Sequence, residues 1–136
     1  MFNPIRYDSG KLRKVKCANT QTIVKGDALA DDGNGLLAVA TSSTAVDIEF
    51  VAMESVVTTA SGQLVLCIET KGVEFEADCD AAWAQTDVHT LADLASVSTV
   101  NPDASSNDLF YISEGVGVAG TGTKVLGHFV EGVPNS

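Results

Sequence analysis

Few residues in this chain have both the type and the spacing that chemistry requires. His89 and His128 are the only histidines, and imidazole is the usual general base near neutral pH. Neither stands beside a Gly-x-Ser-x-Gly or an activated cysteine pattern, with His128 in an apolar strand-like run and His89 in a polar connection. Glu74 and Glu76 could form an acid/base pair, but neighbouring positions on one strand face do not straddle a substrate as opposed carboxylates must. Asp78 and Asp80 fail as a metal pair for the same reason. Asp31, Asp32 and Asn34 suggest calcium, yet the twelfth position of such a loop is Ser42 where a bidentate carboxylate is needed. Gly115-Val116-Gly117-Val118-Ala119-Gly120 satisfies G-x-G-x-x-G, but residues 121–127 continue as a strand and not as the helix that holds a pyrophosphate. Cys17, Cys67 and Cys79 lie in no metal or redox spacing and read as buried thiols of a reducing cytoplasm. The sequence therefore assigns no catalytic residue, no metal ligand and no cofactor.

The elements that carry these residues are short and β-prone. Residues 12–17 and 22–24 read as strands, and Lys25-Gly26-Asp27 as a turn. Asp31-Asp32-Gly33-Asn34-Gly35, between two apolar runs, is the strongest hairpin signal. Residues 47–53 and 62–70 follow as strands, separated by a turn over 58–62. In Val73-Glu74-Phe75-Glu76-Ala77-Asp78 strict alternation places three carboxylates opposite three apolar residues, as a half-exposed strand requires. The spacing of Leu91, Leu94 and Ala95 predicts a short helix over 90–95, with Thr90 as N-cap and Asp93 at N3. A polar loop over 101–108 precedes two final strands, 109–113 and 124–130. The expected fold is mainly β, a small β-barrel or β-sandwich of about eight short strands with one short helix. At 136 residues the chain is one domain long. Its longest apolar runs are five residues against the roughly 20 of a membrane helix, so no membrane partner is expected. No apolar stretch of signal-peptide length follows Met1, so classical export is not expected either.

Charge divides unevenly. Residues 1–25 hold Arg6, Lys11, Arg13, Lys14, Lys16 and Lys25 against Asp8, a net +5, whereas the rest carries −15. Seventeen carboxylates would repel phosphates, so no nucleic-acid partner is expected. Residues 1–20 read as a basic N-terminal arm and residues 21–136 as a β-rich binding domain. The core strands are expected to begin after residue 10, so that removing residues 1–10 leaves the fold intact. Two readings of the arm stand side by side. Arg6, Lys11, Arg13, Lys14 and Lys16 dock on an acidic protein surface, or the segment is a basic first strand that pairs with the acidic body.

The order of motifs from residue 22 to 130 carries a resemblance. A Lys-Gly-Asp-Ala-Leu turn at 25–29 comes first, then a central strand over 48–56 and Val73-Glu74-Phe75-Glu76-Ala77-Asp78. There follow Ala84-Gln85-Thr86-Asp87-Val88, Leu91-Ala92-Asp93-Leu94, the stretch 99–106, Phe110-Tyr111-Ile112 and Lys124-Val125-Leu126-Gly127-His128-Phe129. In this order the chain resembles the capsid decoration, or cement, proteins of tailed bacteriophages. The resemblance implies a non-enzymatic virion protein, made in the host cytoplasm, that binds the exterior of the expanded capsid lattice. The partners it implies are the major capsid protein and other copies of itself, as a homotrimer. A small carbohydrate-binding or host-attachment β module on the virion surface is the alternative, but few aromatics beyond Trp83 are available as platforms. A small hydrolase would need a nucleophile and base that meet only in space.

Overall fold

Strand-forming residues dominate a computed structural model that describes residues 1–131, and the mainly β expectation holds. The strands are β1 (Phe2–Arg6), β2 (Leu12–Cys17), β3 (Thr22–Ile23), β4 (Ala28–Asp31), β5 (Leu37–Val39), β6 (Ile48–Ala52) and β7 (Val56–Val57). They continue as β8 (Gln63–Glu69), β9 (Glu74–Cys79), β10 (Leu91–Ser96), β11 (Thr99–Asn101), β12 (Phe110–Val116) and β13 (Lys124–Phe129). There are thirteen strands among the described residues where about eight were expected, because bulges and two- or three-residue bridges divide the chain more finely than its turn signals do.

Strands β2-β5-β4-β6-β8 close into a barrel, with β3 and β7 as a separate two-stranded ribbon. Cys17, Leu29, Leu37, Phe50, Ala52, Val65 and Cys67 of this barrel form one buried core with Ile23 of the ribbon. The remaining strands run β1-β9-β11-β10-β12-β13, and β13 also pairs with β9, so this sheet curls back on itself. Its core of Phe75, Phe110, Ile112, Val125 and Phe129 is continuous with Ala28, Val51 and Ile68 of the first barrel, which makes the two units one packed body. All three cysteines are free and buried, as the sequence indicates. Burial pushes the Cys67 thiol up to about 12, with Cys17 nearby adding to it, and the Cys79 thiol up to about 11.

The Asp31–Gly35 hairpin joins β4 to β5 in register Asp31↔Leu37. Asp31 Oδ1 accepts from the N–H of Gly33 at 2.7 Å and Asp32 Oδ1 from that of Asn34 at 2.8 Å, while Gly33 and Gly35 take φ of 93° and 81°. Those carboxylates thus fold their own turn.

Two expectations are corrected. The helix over 90–95 is strand β10, and among the described residues no helix reaches seven residues. Leu91 and Ala92 pair with Tyr111 and Phe110, and Asp93 and Leu94 with Asn101 and Val100. Six residues are too few for an i, i+3 pattern to outweigh pairing on both sides, and His89, at φ 68°, turns the chain sharply just before them. The core also begins earlier than residue 10. Phe2 is fully buried, and β1 lies antiparallel to β9 in register Phe2↔Ala77 and Arg6↔Glu74. A 3-10 turn at Ser9–Lys11, capped by Asp8, then redirects the chain from this sheet into the barrel through β2. Residues 132–136 of the expected binding domain lie outside the described residues.

Candidate docking surface

The basic residues of the first 20 positions divide into two groups. Arg6 is 3.5 Å from Glu74, and Arg13 is 4.0 Å from Glu69 with its guanidinium 5.0 Å from the centre of the Phe50 ring. These two follow the reading in which a basic strand pairs with the acidic body. Lys11, Lys14 and Lys16 have no ion pair among the described residues.

Within β2, strand alternation explains why Arg13 differs from Lys14 and Lys16. Val15 packs against the barrel core and Cys17 belongs to it, so Arg13, Val15 and Cys17 point inward or to the barrel's end. Leu12, Lys14 and Lys16 point outward. Cross-strand pairing sets Leu12 opposite Ile68, Lys14 opposite Leu66 and Lys16 opposite Leu64. The Leu12–Ile68 end is covered by the second unit. The other end emerges into solvent, where Lys14 and Lys16 are exposed and Leu64 is 55% exposed. Two lysines without an ion pair among the described residues therefore stand beside a bare leucine on a chain whose residues 26–136 carry −15. Leu64 escapes a reading of residues one at a time, because only the β2–β8 register brings it beside Lys16.

The residues that suggested chemistry are otherwise engaged. Glu74, Glu76 and Asp78 lie on the outward side of β9 as expected, but among cations. Lys124 Nζ reaches Asp78 Oδ1 at 2.7 Å and Glu76 at 3.9 Å, and the N-terminal ammonium reaches Asp78 Oδ2 at 2.9 Å. The hydrogen bond from Lys124, and then that from the ammonium, hold Asp78 below its ordinary 3.8, and Asp78 pushes Lys124 above 10.5. A depressed carboxyl stabilises the fold above its unfolded pKa, and that contribution is lost as pH falls through the folded value. The side chains are 38% and 50% exposed, so water screens the pair. Lys124→Ala is expected to raise the Asp78 midpoint toward 3.8 in an NMR carboxyl titration. An unmoved midpoint would show that the lysine does not hold it.

His128 sits on the exposed side of β13, its ring centre 5.1 Å from that of Tyr111, whose hydroxyl is 3.1 Å from His89 Nδ1. Trp83 is buried, its Nε1 donating to the Val116 carbonyl at 3.0 Å. A Cβ at Gly115 would overlap the indole. The G-x-G-x-x-G glycines thus seat a tryptophan and turn the β12–β13 hairpin. An open cleft of about 430 Å³ lies among Arg13, Glu49, Phe50, Glu69 and Lys71, where cations and carboxylates interleave without a single-sign ligand site. No protein family, curated protein or solved structure matches the chain.

Proposed function

We propose that this chain is a non-enzymatic tailed-phage structural protein that binds the exterior of the expanded capsid lattice and cements it, docking through the outer face of β2. The observation that carries the proposal is the exposed Lys14 and Lys16, without an ion pair among the described residues, beside exposed Leu64 on an otherwise acidic chain. Unpaired ammonium groups steer encounter with an acidic surface and fix its orientation, and a bare leucine rewards close contact. The motif order over 22–130 that resembles decoration proteins names the kind of surface. Copies that bind only the expanded lattice shift shells toward that state by mass action. Three copies joined as a trimer over neighbouring capsid subunits raise the effective concentration of each later contact, so one modest face per copy suffices. The carbohydrate-binding alternative loses its largest platform, because Trp83 is buried.

Co-sedimentation tests this reading. The chain is expected to pellet with expanded shells of its phage and to stay in solution with unexpanded ones. K14E combined with K16E is expected to weaken pelleting about tenfold or more at low salt, and less once salt screens the charges. Equal pelleting with both shell forms, or with neither, would overturn the proposal.

A further inference from the structure

We propose that the open edge of β2 takes up an extended acidic segment of the capsid protein as an added strand; this deepens the cementing reading and rests on it. Strand β8 occupies one edge of β2 along all six residues. On the other edge β5 meets β2 only at Cys17↔Leu37, followed by the Ala18 N–H donating to the Leu37 carbonyl at 2.8 Å. Among the described residues no strand lies along that edge over 12–16.

The hydrogen-bond phase shows what the open edge presents. Leu66 donates its N–H to Glu54 Oε2 at 2.6 Å and accepts from the Met53 N–H at 2.9 Å, so both its groups point away from β2. In an antiparallel ladder the facing residue, Lys14, then turns its own N–H and C=O away from β8. Alternation turns the N–H of Lys16 and the C=O of Leu12 the same way. An incoming strand finds main-chain partners at three successive outward-facing residues, the geometry of strand addition.

Side chains select the occupant. Every second residue of an added strand would stand beside Lys14 and Lys16, whose charges no described carboxylate neutralises, so acidic residues at alternate positions fit. A second copy of β2 does not, because it would set lysines against lysines. Lysines on an edge also turn away neutral strands, which leaves an acidic one as the matching partner.

The probe is the end-blocked peptide Glu-Thr-Glu-Val-Glu-Thr, compared with two versions N-methylated at alternate residues, one in each phase. All three keep the charges, and the methylated ones lose main-chain donors on one edge. Titrated into the full chain at low salt, the parent peptide is expected to slow exchange of the Lys14 and Lys16 amides. One methylated phase is expected to bind about tenfold more weakly, as two lost hydrogen bonds imply, and K14E with K16E to lose the parent peptide while keeping the folded spectrum. Absence of binding, equal binding of all three peptides, or protection elsewhere overturns the added strand. Shells that still pellet the chain in that case keep the cementing reading alone. A peptide held at β2 by a chain that no shell pellets keeps the acidic-strand edge and overturns the capsid as its source.

Discussion

Phe2→Ala is expected to destabilise the protein by about 3–5 kcal/mol, and removal of residues 1–6 to leave it unfolded. Phe2 is completely buried, and its ring centre lies 4.8 Å from that of Phe129 and 5.8 Å from that of Phe110. Phe129 in turn packs edge-on to Phe75 and Phe110 at 5.3 and 5.2 Å, so the second residue of the chain completes a four-ring cluster drawn from β1, β9, β12 and β13. Truncation to Ala removes an aromatic packed on two of those rings, and the cavity cannot close because Phe110 and Phe129, which line it, are anchored in paired strands. A domain of this size holds about 5–15 kcal/mol in total, which the loss of β1 and its ladder on β9 would exhaust. Arg6→Ala, by contrast, touches a side chain that is 79% exposed, and is expected to change stability by less than about 0.5 kcal/mol. Urea unfolding separates the cases: the Phe2→Ala midpoint should fall sharply with little change in slope. A parental midpoint for both Phe2→Ala and the truncated chain would mean that the first strand is an appendage, as its charge alone suggested.

That contrast shows what the sequence could and could not convey. Strand β9 was legible because Val73, Phe75 and Ala77 alternate with three carboxylates, and the 31–35 hairpin because Asp-Gly and Asn-Gly pairs dictate their own turn. Both signals are local. β1 was not legible, because Phe2 lies in a short run broken by Asn3 and Pro4 and followed by polar and basic residues, and its partners, Ala77, Phe110 and Phe129, lie more than 70 positions away. The candidate docking surface was legible by half. Charge asymmetry singled out the segment, but which of its cations are free depends on strand phase, which turns Arg13 toward Glu69 and Phe50 and leaves Lys14 and Lys16 outside. Leu64 joins them through a register between residues 48 positions apart, which no local pattern reports.

Asp93 is the sharpest case of a residue whose type was noticed and whose role was misplaced. As the N3 residue of a helix it would be a solvated carboxylate of small effect, whereas in β10 it is buried at 6% exposure. Its Oδ2 accepts the N–H of Ser106 at 3.0 Å, and its Oδ1 accepts those of Asn107 and Asp108 at 2.7 and 2.9 Å. Its own N–H donates to the Ala104 carbonyl at 2.8 Å. One side chain thus satisfies three successive main-chain donors and fastens the 101–108 loop across the end of the β10–β11 pair. The loop needs such an anchor, since Asp108 takes a left-handed φ of 53° and its Oδ1 is buried without a partner among the described residues. Asp93→Ala leaves those three donors without their acceptor, at about 1–3 kcal/mol for each that water cannot reach. A net loss of about 3 kcal/mol is expected once the loop has partly relaxed into solvent. Asp93→Asn keeps one acceptor oxygen but points an amide donor at another donor, so its loss should be intermediate, about 1–2 kcal/mol. Amide exchange gives the local readout. In Asp93→Ala the Ser106, Asn107 and Asp108 amides should exchange freely while Phe110 and Ile112 stay protected. Protected amides at 106–108 together with a parental urea midpoint would show that the loop is held by something other than this carboxylate.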